Sequence, residues 1–133
     1  MTELKTIGVV GAGLMGHGIA QVSAQAGYDV VLVDADAAAL EKGVGVVRDQ
    51  VAKAVAKEKL TAEEGEAITA RLRGATDPAE LAGCDMVIEA IVENLEAKNG
   101  LWRSLDEVVQ PSAIFATNTS SLPVIDQAAV TSR

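Results

Sequence analysis

The sequence predicts an α/β domain: a doubly wound parallel sheet with helices packed on both faces. Three observations carry that expectation. Short apolar runs recur along the 133 residues and alternate with longer segments whose apolar residues step by three and four. The first run, residues 6–10, feeds straight into a turn with glycine at 11, 13 and 16, the spacing of a strand-to-helix turn. Hydrophobic residues make up 49% of the chain and aromatic ones 2%, so a folded core is expected and it is packed from aliphatic side chains. Strands that alternate with helices pair in parallel through right-handed crossovers, and the commonest arrangement orders them 3-2-1-4-5.

The three glycines have separate tasks. Gly11 lets the chain turn sharply after the first strand. Gly13 has no β-carbon, so a diphosphate can approach the backbone there. Gly16 lets the following helix pack closely on the strand. Ala12, Leu14 and Met15 complete the turn, whose unpaired backbone N–H groups and helix dipole make an anion site. The helix runs on through Ile19, Ala20 and Val22 to a glycine turn at Gly27, and residues 29–34 form a second buried strand. Asp34 ends that strand, roughly twenty residues past the glycines, where a carboxylate accepts hydrogen bonds from an adenosine ribose. Together these features make a Rossmann-type dinucleotide pattern. A carboxylate at this point repels a ribose phosphate, and Ala35, Asp36 and Ala37 offer no arginine to receive one, so NAD is favoured over NADP. The competing role for Asp34 is the N-cap of the next helix, for which Asp36 is better placed.

After Asp34, the stripe Leu40, Val44, Val47, Val51 and Val55 predicts a long helix to about Lys59, weakened but not broken by Gly43 and Gly45. Thr61 and Glu64 have capping-box spacing and open another helix, with Ile68 and Leu72 as its apolar contacts. The two segments read as a helical hairpin inserted at about residues 37–73 of a single domain spanning 1–133. Residues 74–77 are expected as a short third strand, with Asp77 and Pro78 opening a brief helical turn. Residues 86–91 form the fourth strand. A helix over about 94–109 turns Leu95, Leu101, Trp102, Leu105 and Val109 inward, Pro111 stops it, and residues 113–117 form the fifth strand.

Bulk properties narrow the partners. A net charge of −8 and a pI of about 4.5 count against nucleic-acid binding, which needs clustered Lys and Arg. The single cysteine, Cys84, has no disulfide partner and no metal-ligand spacing around it, so an inert buried thiol is expected. The polar residues 1–5 and the short apolar run after them match neither a signal peptide nor a membrane span. A soluble protein of the reducing cytoplasm is the expectation.

With this strand order the ligand crevice falls at the C-terminal ends of strands one and four, where two polar stretches follow buried strands. The first carries Glu93 and Lys98, which spacing alone reads equally as a helix-start carboxylate and a solvated surface lysine. The second is Asn118-Thr119-Ser120-Ser121, equally suited to turn and N-cap chemistry. Taken with the glycine turn, Gly18-Ile19-Ala20-Gln21, Asp34, Ile88-Glu89-Ala90-Ile91-Val92-Glu93-Asn94 and Asn118-Thr119-Ser120-Ser121-Leu122, essentially the whole chain resembles the N-terminal domain of the 3-hydroxyacyl-CoA dehydrogenase family, including its 3-hydroxybutyryl-CoA members.

The resemblance implies NAD as cofactor, with its diphosphate on Gly11, Ala12, Gly13, Leu14, Met15 and Gly16 and its adenosine ribose on Asp34. It implies that Glu93 and Lys98 contact the nicotinamide-side ribose and that Ser120 hydrogen-bonds the substrate beside the nicotinamide. The family's hairpin also helps to hold coenzyme A. Arg48, Lys53, Lys57 and Lys59 could supply charge there, although the serine expected on the first hairpin helix has no counterpart near Gln50 and Val51. The implied reaction is oxidation of a (3S)-3-hydroxyacyl-CoA to the 3-oxoacyl-CoA with hydride transfer to NAD. The family's histidine base, its orienting glutamate, its sixth strand and its C-terminal helical domain have no match within the chain. His17, inside the glycine-turn helix, does not match that base. The isolated chain is thus expected to bind NAD(H) without turnover; the alternative is a stand-alone cofactor-binding or interaction module. Self-association is also expected, because strand five becomes a sheet edge and Leu122, Val124, Ile125 and Val130 lose their cover.

Overall fold

A computed structural model of the chain describes residues 4–91, 94–117 and 127–132. Thr6–Val10 (β1), Asp29–Val33 (β2), Leu72–Ala75 (β3), Met86–Glu89 (β4) and Ile114–Thr117 (β5) form one sheet in the order β3-β2-β1-β4-β5. Every pairing is parallel. The connections are Leu14–Gln25 (α1), Ala37–Ala56 (α2), Ala62–Arg71 (α3), a 3-10 turn at Pro78–Leu81, and Leu95–Val108 (α4). This is the Rossmann-type order expected from the sequence.

Alternation along the strands explains why both sheet faces are dry. Ile7, Val9, Val30 and Leu32 point to one side, where Ala20 and Ala24 of α1, Val44, Val47 and Val51 of α2 and Ile68 of α3 cover them. Val10, Val31, Val33 and Val87 point to the other, beneath Leu81, Trp102, Leu105 and Val109. Strands buried on both faces read as continuous apolar runs rather than as alternating ones. Truncating a fully buried core leucine such as Leu32 or Leu105 to alanine is expected to cost about 2–5 kcal/mol.

The helix signals formed as written. Asp36 caps α2 by accepting from the N–H groups of Ala38 and Ala39 at 2.9 and 3.3 Å. Thr61 and Glu64 close a reciprocal capping box at the start of α3. Gly65 lets α3 lie hard on α2, since a β-carbon there would meet a methyl of Val55 at 2.7 Å.

Boundaries differ by one residue at the end of β2 and the start of β5, and by more in three places. β3 begins at Leu72 and ends at Ala75, rather than spanning 74–77. Leu72 pairs with Val30 and buries its side chain in the sheet core, so it and Arg73 leave the helical hairpin, and Asp77 instead caps the 3-10 turn. α2 stops at Ala56 because the chain turns at Glu58, whose φ of +59° is left-handed. β4 ends at Glu89, two residues early, where the Glu89 carboxylate accepts from the Ile91 N–H and bends the chain away.

Candidate functional site

The turn after β1 is shaped by three backbone approaches. Gly11 has a φ of +103°, and a β-carbon on it would lie 2.5 Å from the Ala90 carbonyl oxygen at the end of β4. A β-carbon on Gly16 would lie 1.5 Å from the Gly11 carbonyl oxygen, so α1 starts directly against the turn. Gly43 of α2 presses on the same loop, 2.6 Å from the Ala12 carbonyl oxygen by the same measure.

Gly13 differs from all of these. A side chain there would meet no protein atom within 4 Å, and its φ of −69° suits any residue. The fold does not demand glycine at 13, and the space above it is open. Gly13 is the N-cap of α1, with no side-chain cap and no acidic residue in the first turn, so the first N–H groups and the dipole face outward. Leu14 and Met15, 81% and 56% exposed, flank that opening. An uncapped helix start over an open glycine suits the diphosphate of a dinucleotide, both sterically and electrostatically.

Asp34, just past β2, joins the strand to this turn. One carboxylate oxygen accepts from the Ala12 N–H at 3.0 Å and the other from the Asp36 N–H at 2.9 Å. The capping role belongs to Asp36, leaving Asp34 as a half-buried anionic brace beside the glycine turn. Its bracing of Ala12 has no counterpart in the sequence reading.

Across β1, the end of β4 carries a buried network of side chains. Glu89, in register with Val10 of β1 and Thr117 of β5, is fully buried. Its Oε1 receives the Lys98 ammonium at 2.8 Å and the Thr117 hydroxyl, and its Oε2 receives the Ile91 N–H at 3.1 Å. Lys98, in the first turn of α4 behind the Asn94 cap, is buried as completely as its partner. The surface-lysine alternative is thereby overturned: the pair sits inside the sheet edge, and its desolvation is offset by charge pairing and hydrogen bonds. Spacing gave Glu89 no role beyond its place in the Ile88–Asn94 stretch. The available signal was a lone carboxylate inside an apolar strand, which must have a buried partner. Glu93, Ser120 and the rest of 118–121 lie outside the described residues.

The remaining candidates are placed as follows. His17 is half-buried, with Nδ1 3.4 Å from the Ala12 carbonyl oxygen. Cys84 is buried, and desolvation, with the Asp85 charge adding to it, pushes its thiol up to about 11, as an inert structural thiol requires. Arg48, Lys53, Lys57 and Lys59 are exposed on the hairpin, and Arg48 borders a cleft between α2 and α3 lined also by Val51, Val55, Gly65 and Thr69. Among the described residues, no helix is long and apolar enough to cross a membrane and no cluster of His, Cys, Asp or Glu could hold a metal.

Comparison with known proteins agrees with this geometry. Residues 6–133 match the family model described as 3-hydroxyacyl-CoA dehydrogenase, NAD binding domain. A protein of Deinococcus radiodurans named probable 3-hydroxybutyryl-CoA dehydrogenase is 45% identical over 126 residues, covering 95% of this chain and 45% of the relative. A Bacillus subtilis protein of the same name is 42% identical over 131 residues, covering 98% and 46%. The crystal structure of (S)-3-hydroxybutyryl-CoA dehydrogenase from Ralstonia eutropha superposes with a TM-score of 0.93 at 43% identity, covering 98% of this chain and 46% of that one. The chain thus spans about half the length of the relatives it matches. Residues 6–133 thus form an NAD-binding domain with the sheet order β3-β2-β1-β4-β5, and the chain belongs to the 3-hydroxyacyl-CoA dehydrogenase family.

Proposed function

We propose that this chain is the NAD-binding portion of an enzyme that oxidises (3S)-3-hydroxyacyl-CoA to 3-oxoacyl-CoA. The observation that carries the reading is the open, uncapped start of α1 at Gly13 beside the Asp34 carboxylate. Gly11, Ala12, Gly13, Leu14, Met15 and Gly16 hold the diphosphate, with backbone N–H groups of the α1 start as donors. Asp34 accepts from the adenosine ribose and repels the extra phosphate of NADP. Glu93 and Lys98 are assigned to contacts with the nicotinamide-side ribose, and Ser120 to a hydrogen bond with the substrate beside the nicotinamide. When bound, NAD supplies the acceptor for the hydride leaving C3 of the hydroxyacyl chain.

The chain by itself binds cofactor without turnover. Its one histidine, His17, lies inside α1 with Nδ1 3.4 Å from the Ala12 carbonyl oxygen, and it does not match the family's base. Proton transfer by a positioned base contributes roughly 10²- to 10⁴-fold. The acyl-CoA is the partner of the whole enzyme, with the hairpin cations serving the coenzyme A moiety in the cytoplasm. Self-association runs through β5, one of the two edge strands of the described sheet, where Ile114 is 51% exposed.

The deciding experiment is a fluorescence titration of the 133-residue chain with NADH and NADPH, followed by an assay with 3-hydroxybutyryl-CoA and NAD. Saturable binding that prefers NADH, with no NADH produced, is the expected outcome. Equal binding of the two cofactors would remove Asp34 from its role, and turnover by the chain alone would remove the claim about its missing base.

A further inference from the structure

We propose that Asp34 is a positioning residue for the diphosphate as well as an acceptor for the adenosine ribose: through the Ala12 N–H it holds the glycine turn in the shape that leaves Gly13 open. This second task rests on the reading that the start of α1 takes the diphosphate, and it gives Asp34 a role that the reading does not contain.

The turn between β1 and α1 is tied to the end of β2 at two successive points. Gly11 donates its N–H to the Val33 carbonyl at 2.8 Å, and Ala12 donates its N–H to Asp34 Oδ2 at 3.0 Å. The first tie is backbone to backbone and is open to any residue at 33. The second spans 22 positions and needs a side chain whose acceptor has the right reach. Asp34 is itself anchored on two sides. Its own N–H donates to the Ala75 carbonyl at the end of β3 at 3.2 Å, and its Oδ1 accepts from the Asp36 N–H at 2.9 Å. With one oxygen so fixed, the other has a set direction, and it meets Ala12.

Ala12 is the residue through which the turn is held. It is 3% exposed, and α2 presses on its carbonyl, where a β-carbon on Gly43 would lie 2.6 Å from the oxygen. Gly13 follows it directly as the uncapped start of α1. The position of Ala12 therefore sets the position of the open glycine.

A local turn does not account for the contact. An aspartate turn uses one oxygen on the N–H two residues ahead, as Oδ1 does with Asp36, and leaves the second oxygen without a part. Charge alone is also against it, because a carboxylate beside an anion site repels the phosphates. Beyond the ribose contact, what offsets that repulsion is the charge-assisted bond that keeps the turn ready for them.

The test compares adenosine, which has the ribose and no phosphate, with ADP on the 133-residue chain and on Asp34→Ala, each affinity read by amide NMR titration. Loss of the ribose contact weakens both ligands alike, and loss of the carboxylate charge favours ADP. An Asp34 that only reads the ribose therefore leaves the preference for ADP over adenosine unchanged or raises it. With the brace removed, that preference should instead fall about threefold or more, as it does when the turn keeps its binding shape about a third of the time or less. Should Asp34→Ala fail to fold, Asp34→Ser takes its place. Its hydroxyl still serves the Asp36 N–H, is one bond too short for Ala12, and should give the same fall.

A preference for ADP that is unchanged or raised in a folded Asp34 variant would overturn the proposal. It would do so even where the unfolding midpoint has dropped, since that combination marks a brace serving the fold alone. A wild-type chain that binds ADP no more tightly than adenosine would instead overturn the assignment of the diphosphate to the α1 start, and the second task of Asp34 with it.

Discussion

At the ends of β1 and β2 the sheet is closed by backbone approaches, whereas at the ends of β4 and β5 it is closed by a buried network of side chains. On the first side, glycine makes room: Gly11 and Gly16 bring turn, strand and helix within distances that a β-carbon would forbid, and Gly13 leaves space that no protein atom fills. On the second side, a buried carboxylate gathers an ammonium, a hydroxyl and a backbone N–H from three elements. The difference teaches how each half fails. A backbone cradle is lost by adding an atom, and a buried charge network by removing one.

Glu89→Leu should have the largest effect on stability, because it removes the carboxylate paired with the buried Lys98 ammonium. The expected loss is about 3–5 kcal/mol by urea unfolding. Glu89→Leu combined with Lys98→Met should recover most of it, since no uncompensated charge remains. A double variant as unstable as the single one would show that the hydroxyl and backbone partners of Glu89, rather than the ion pair, hold this half together.

Gly16→Ala and Gly13→Ala separate fold from site within the backbone half. At Gly16 the new methyl would meet the Gly11 carbonyl, so the cost should reach or exceed the roughly 1–3 kcal/mol of ordinary overpacking. At Gly13 the methyl meets nothing, so only the N-cap preference for glycine over alanine is lost, roughly 1 kcal/mol. NADH binding should nevertheless weaken at least tenfold, because the methyl occupies the approach of the diphosphate. A Gly13→Ala chain with unchanged affinity would break the assignment of that space to the cofactor.

The smallest expected effect comes from the opposite end of the sheet, where Asp85 accepts from the N–H groups of Thr6 and Lys5 at 3.0 and 2.9 Å. Those bonds hold its carboxyl below the usual range. The folded state therefore binds its proton less readily than the unfolded state does. The resulting stabilisation is present above the ordinary aspartate range and is lost as the pH falls through the depressed value. Asp85→Asn should flatten the loss of stability below about pH 4 and leave NADH affinity at neutral pH unchanged.

The two halves also differ in how legible they are in the sequence. The glycine turn, Asp34, the Asp36 cap and the Thr61–Glu64 box are local: residues a few positions apart act on one another's backbone, so spacing reveals them. The sheet order followed from the alternation of elements. Glu89, Lys98 and Thr117 are separated along the chain and meet only because β4, α4 and β5 converge. Spacing therefore left Lys98 divided between a solvated and a functional role and passed over Glu89. Leu72 went to the wrong element for a related reason. An apolar residue after a helix fits either a last helical contact or a first strand residue, and only pairing with Val30 decides between them.

The measurement that tests the two-part crevice most directly is a pair of amide NMR titrations of the 133-residue chain, one with ADP and one with NADH. ADP should shift the amides of residues 11–16 and of Asp34 and leave those of Glu89, Ile91, Lys98 and Thr117 in place, whereas NADH should shift both sets. Identical patterns for the two ligands, or NADH shifts confined to the α2–α3 hairpin, would contradict the account.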